Sequence, residues 1–143
     1  MSANLAIQKT RLSSGIDLAF RTAGDSGQSA LVLLHGFPSS SRSFRDVIEP
    51  LSRSAFVVAP DLPGFGASDV LPEPSFAAFA DCIEELLSLL EVKERFIYLH
   101  DFGAAVGLQL AMRAPHLVRG LIVQNANAHR SGLGPQWADT LVG

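Results

Sequence analysis

The sequence predicts an α/β protein with a mostly parallel sheet, an antiparallel hairpin at its N-terminal end and flanking helices. Two observations carry that prediction. Residues 30–34 (ALVLL), 55–59 (AFVVA), 96–99 (FIYL) and 121–123 (LIV) are apolar without alternation, as strands covered on both faces of a parallel sheet are. The stretches between them carry helical periods instead, the alternation that builds such a sheet.

The elements follow in order. Residues 7–12 and 16–22 alternate in polarity around Ser13-Ser14-Gly15 and read as an exposed hairpin. After the first apolar run, Phe44, Val47, Ile48 and Leu51 recur at i, i+3, i+4 and i+7 and predict an amphipathic helix. A longer stripe, Phe76, Phe79, Ala80, Ile83, Leu86, Leu87 and Leu90, predicts a second helix, with Ser75 as its cap after Pro72 and Pro74. Residues 103–114 are apolar nearly all round except Gln109 and Arg113, which predicts the most buried helix, ended by Pro115.

Composition limits what such a domain does. The 143 residues are 48% hydrophobic and 17% charged, which suits a folded core and excludes disorder. Net charge is −3 and the 11 Lys and Arg form no basic stripe, so no nucleic-acid partner is expected. The lone Cys82 forbids an internal disulfide and suits a reducing compartment. No apolar leader and no run of about 18 apolar residues appears, so a cytoplasmic protein without a membrane partner is expected.

Function in open α/β sheets sits in the loops after the strands. Three such loops are distinctive: His35-Gly36-Phe37-Pro38, Asp61-Leu62-Pro63-Gly64-Phe65-Gly66, and His100-Asp101-Phe102-Gly103. Gly64 and Gly66 form only a G-x-G, with proline following where a phosphate-binding helix should start, so this loop reads as a structural turn and no dinucleotide or other cofactor is expected. Asp101 taken alone has two readings, a helix N-cap or a nucleophile at a strand-to-helix turn.

In that order the three loops resemble the α/β-hydrolase fold family, in its epoxide hydrolase and haloalkane dehalogenase-like branch, over about residues 16–127. The segment Leu99-His100-Asp101-Phe102-Gly103 aligns with the G-x-S-x-G nucleophile elbow, with Leu99 in place of the usual small first residue. The resemblance implies that Asp101 is the nucleophile and forms an alkyl-enzyme ester. It further implies that the backbone N–H groups of Phe37 and Phe102 make the oxyanion hole. His35, Gly36, Pro38, His100 and Gly103 then support the site, while Phe37, Phe102 and Trp137 contact a small hydrophobic substrate. His116 reads as a solvated surface histidine.

Within that branch, dehalogenases hold the departing halide with a tryptophan after the nucleophile, whereas Phe102 and Phe37 carry no polar side-chain hydrogen. Epoxide hydrolysis is therefore the leading expectation, with dehalogenase-like or other small-molecule hydrolysis behind it. The tyrosine acid of epoxide hydrolases has no counterpart, since Tyr98 lies in the strand before the elbow. The resemblance divides the chain into residues 1–127, the N-terminal part of a truncated hydrolase core, and 128–143, the start of a cap. The general base and its acid partner, which the family places far downstream, are expected to be absent. A sheet ending at residues 121–123 would leave an edge open to self-association, and a non-catalytic self-associating module is the alternative from a different class.

Overall fold

The computed structural model describes residues 6–124. Six strands, β1 (Gln8–Arg11), β2 (Asp17–Ala23), β3 (Ala30–Leu34), β4 (Phe56–Pro60), β5 (Arg95–His100) and β6 (Val118–Gln124), form one sheet in the order β1-β2-β4-β3-β5-β6. The pairs β4–β3, β3–β5 and β5–β6 are parallel, while β1–β2 and β2–β4 are antiparallel. The helices are α1 (Ile48–Ser52), α2 (Phe76–Leu89) and α3 (Phe102–Arg113). The mostly parallel α/β sheet with an N-terminal hairpin is the architecture that the apolar runs predict.

The sheet has an apolar core on each face. On one, α2 and α3 pack Phe79, Ile83, Leu86, Val106 and Leu110 against Val32, Leu34, Ile97 and Leu99. On the other, Phe44 and Ile48 pack against Leu31, Leu33, Val57 and Ala59. Strand alternation assigns the faces: Ile97 and Leu99 belong to the first core, Phe96 and Tyr98 to the second. Ser75 caps α2 by accepting the N–H of Ala78 at 3.0 Å. Arg113 ties α3 to α2 through Asp81, Glu84 and the carbonyl of Ala77.

Three expectations need correction. The helix expected around Phe44 is broken into a 3-10 turn, Ser41–Phe44, and the five-residue α1. Pro50 has no N–H to give to a preceding turn and its ring crowds that turn; Phe44 and Ile48 still face inward, but Val47 is left 45% exposed. The hairpin is not exposed as a whole, because β2 is an inner strand paired to β4, and Leu18, Ala19 and Phe20 are buried. Finally, α3 buries one face only, through Gly103, Ala104, Val106, Gly107 and Leu110, while Met112 stands exposed.

Among the described residues no helix is long and apolar enough to cross a membrane. The buried Cys82 thiol is pushed up to about 11 by burial and by the nearby Asp81 and Glu85, which removes it as a nucleophile near neutral pH.

Candidate active site

Strands β4, β3 and β5 are neighbours in the sheet and parallel, so the loops after Pro60, Leu34 and His100 emerge side by side at one edge. The three loops that stand apart in the sequence therefore meet in space. Their centre is Asp101, between the end of β5 and the first turn of α3.

Asp101 adopts φ 51° and ψ −117°, a conformation that side chains other than glycine avoid. Its side chain makes no capping bond to α3. Instead Oδ2 accepts the backbone N–H of Phe37 at 3.1 Å, across from β3. The strained turn thus holds the carboxylate against the loop after β3, an arrangement a cap does not need.

Glycines make that approach possible. A Cβ at Gly103 would lie 2.5 Å from the carbonyl oxygen of His35 and 2.8 Å from that of Leu34, so the start of α3 sits directly on the end of β3. A Cβ at Gly36 would lie 3.0 Å from Asp101 Cβ and 3.2 Å from Nδ1 of His100. Leu99, large where an elbow ordinarily has a small residue, is fully buried, and its Cδ2 occupies the space that a side chain at position 107 would take. Gly107 on α3 is what makes room for Leu99.

His35 is fully buried and joins the loops. The N–H of Leu62 donates to His35 Nε2 at 3.0 Å, which places the ring proton on Nδ1, 2.9 Å from the carbonyl of Gly36. Burial lowers the imidazole's pKa, opposed by the Gly36 carbonyl and by Asp61. Because the folded pKa lies below the unfolded one, the unfolded chain binds more protons once the pH drops below the unfolded histidine range, and stability falls from there down through the folded pKa. Urea denaturation is expected to show a loss of up to about 1.4 kcal/mol per pH unit on acidification below neutrality, with a shallower slope in His35→Gln.

The aromatic wall of the site is larger than the sequence suggested. The ring of Phe102 contacts Phe37, Phe65, Phe76 and Phe79 with centroids 5.1 to 6.1 Å away. Phe37 is 57% exposed and Pro38 follows it through a cis peptide bond. Asp61, buried, accepts the N–H groups of Ser41 at 2.7 Å and Ala67 at 3.0 Å and braces the loop after β4. Tyr98 and His100 lie on the opposite face, where Tyr98 stacks edge-on against Phe44 at 5.6 Å. His116 is exposed. Trp137 and the proposed cap, residues 128–143, lie outside the described residues.

The alpha/beta hydrolase fold family matches residues 29–142. The chain belongs to this family. Among relatives, it is 38% identical over 128 residues to an uncharacterized hydrolase of Saccharomyces cerevisiae, covering 87% of this chain and 44% of the yeast protein. It is 35% identical over 111 residues to a haloalkane dehalogenase of Bradyrhizobium diazoefficiens, covering 75% and 35% of the two chains. To epoxide hydrolase 4 of Mus musculus it is 32% identical over 116 residues, covering 78% and 32%. The crystal structure of a hydrolase from Pseudomonas aeruginosa superimposes with a TM-score of 0.83 at 29% identity, covering 95% of this chain and 51% of that one. This α/β hydrolase chain thus spans less than half the length of the curated relatives it matches.

Sequence reasoning brought Phe37, Phe102, Asp101 and the supporting His35, Gly36 and Gly103 to the elbow of this α/β hydrolase, and the fold does place them together. It missed Phe65, Phe76 and Phe79 as parts of the site wall, and Asp61 and Gly107 as its braces. The signal for Gly107 was present in the bulk of Leu99; Asp61 and Phe65 stood in a distinctive loop read only as a structural turn, and Phe76 and Phe79 in a stripe read only as helix core.

Proposed function

We propose that this chain carries the nucleophile and oxyanion elements of an α/β hydrolase that works through an aspartate, with epoxides as its leading substrate class. The supporting observation is the strained, uncapped Asp101 with one carboxylate oxygen held by the N–H of Phe37. The oxygen left free, Oδ1, attacks an epoxide carbon; the ring C–O bond breaks, the epoxide oxygen takes a proton from solvent water, and an alkyl ester of Asp101 forms. Water then adds to the carboxyl carbon of Asp101. Negative charge develops on Oδ2, where the N–H of Phe37 already points and the N–H of Phe102 would be the second donor. Collapse of that intermediate returns the carboxylate and releases a diol.

Epoxide opening is favoured over dehalogenation because Phe102 and Phe37 offer a departing halide no side-chain donor. Relatives bearing both names, epoxide hydrolase and haloalkane dehalogenase, match the same region. Tyr98, on the opposite face of the sheet, is no source for the proton on the epoxide oxygen, and neither the base for the water step nor its acid partner is assigned to this chain. The expected behaviour is a single turnover: incubation with styrene oxide adds one equivalent of mass on Asp101, read by intact-mass spectrometry and peptide mapping, and diol stays below one equivalent. A folded chain that gains no mass and forms no diol would overturn the proposal.

A second reading rests on β6. Within the described residues it is the edge strand, and Leu121, Ile122 and Val123 are 42%, 48% and 60% exposed. One face adjoins a cleft of about 440 Å³ lined by Leu33, Phe44, Tyr98 and Ile122. Apolar edges of this kind pair with other chains, so self-association through β6 is proposed. Sedimentation velocity is expected to show a dimer or larger species that Ile122→Lys shifts to monomer; a monomeric parent chain rules it out.

A further inference from the structure

A second feature of the fold lies at the other end of β5. Arg95, the first residue of that strand, is only 4% exposed, yet among the described residues its guanidinium pairs with no carboxylate. Nη1 donates to the carbonyl of Lys93 at 3.0 Å, and the buried Nε has no hydrogen-bond partner. A buried cationic donor without an acceptor is costly, and native proteins rarely leave one so.

Arg95 lines a cleft of about 520 Å³ between the C-terminal ends of α2 and α3. Leu87, Val92 and Leu117 supply an apolar wall, and Glu84, Glu91 and Lys93 the polar rim. Glu84 is already engaged, since Arg113 donates to its Oε2 at 3.2 Å. The lining thus sets Arg95 and Lys93 against Glu91 and the shared Glu84, beside an apolar surface. Burial pushes the Arg95 pKa down, with Glu84 only partly opposing it, in keeping with a guanidinium short of a partner. The six residues of β5 separate this cleft from Asp101 by about 20 Å, so it is not part of the proposed nucleophile site and does not depend on the reading of that site.

We propose that this cleft binds an amphiphilic monocarboxylate, its carboxylate accepting from Nε of Arg95 and its hydrocarbon chain lying on Leu87, Val92 and Leu117. Two requirements point to that class. The orphaned donor calls for an anion, and guanidinium and carboxylate match in plane and charge. The wall calls for an apolar body, and the volume falls in the range of small-molecule sites. A compact inorganic anion would satisfy the first requirement and leave the wall uncovered.

The test uses the whole 143-residue chain with octanoate as the anionic probe and octanol as its neutral counterpart. Titration followed by nuclear magnetic resonance reads the side-chain Nε–H of Arg95 directly. Octanoate is expected to move that signal saturably and to bind at least about tenfold more tightly than octanol, the usual worth of a charge-assisted hydrogen bond. Arg95→Met, checked for folding by circular dichroism, is expected to remove the preference. Should that variant not fold, the contrast between octanoate and octanol at the Arg95 signal decides alone. No saturable shift, equal binding of the two probes, or undiminished octanoate binding by folded Arg95→Met would each overturn the proposal. Inorganic phosphate that moves the signal as octanoate does, and displaces it, would assign a simple anion site instead and overturn it as well.

Discussion

Asp101→Asn is expected to slow formation of the proposed covalent ester by at least about a thousandfold, the effect of losing a nucleophile, while leaving the fold at least as stable as the parent. The two halves of that result come from one geometry. The side chain makes no bond to the amides of α3, so the substitution removes no cap, the loss of which typically costs about 1 kcal/mol. The asparagine side-chain oxygen can still accept the N–H of Phe37, which Oδ2 holds at 3.1 Å in the parent. Asparagine also tolerates positive φ better than most residues, and Asp101 sits at 51°. Asp101→Gly relieves a backbone held in a sparsely populated region but removes the acceptor of the Phe37 N–H, so urea denaturation should show it no more stable than Asp101→Asn. The proposed nucleophile would then stand at some cost in stability, the usual exchange at active sites. Measured labelling rates and denaturation midpoints separate this from a structural aspartate, for which stability would drop by about 1 kcal/mol and labelling would be unaffected.

The strands and the three loops were legible because each of the first three apolar runs stops abruptly at a polar, glycine-bearing turn, and that boundary is a local property of the chain. Their convergence was not local. It depends on β3 lying between β4 and β5, an order set by the crossovers. The broken first helix was legible in principle: Phe44 and Ile48 obey the helical spacing and are buried, but Pro50 falls within the same period and interrupts it. The burial of β2 depended on a partner strand some forty residues away. Asp61 looked like an ordinary turn residue because its partner, the N–H of Ser41, lies twenty positions earlier. Likewise Phe65 and Phe76 join the wall around Phe102 only once the loop after β4 and the start of α2 have been folded over the elbow.

Leu99 and Gly107 show how a departure in one place is absorbed in another. An elbow turns sharply when the residue two before the nucleophile is small, and Leu99 is not. The fold keeps the turn because α3 has no side chain at position 107, where a Cβ would run into Leu99 Cδ2 and would also lie 3.2 Å from Leu34 Cδ1 and 3.3 Å from Ile97 Cγ2. Gly107→Ala is therefore expected to cost about 2 to 3 kcal/mol despite alanine's higher helix propensity, because the methyl group must displace α3 or its packed neighbours. Leu99→Ala alone should cost about 2 to 5 kcal/mol by opening a cavity. Together they should cost less than the sum by at least about 1 kcal/mol, since the new methyl group enters the volume that the leucine vacates. Labelling separates the two ways the chain can absorb Gly107→Ala. If α3 moves away from β5, the N–H of Phe102 moves with it, and hydrolysis of the proposed ester should suffer more than its formation, because only the later step would develop charge at the proposed oxyanion position. If the helix stays and the side chains give way, both steps change together. Strict additivity of the two substitutions would mean that Leu99 and Gly107 do not share this space in solution.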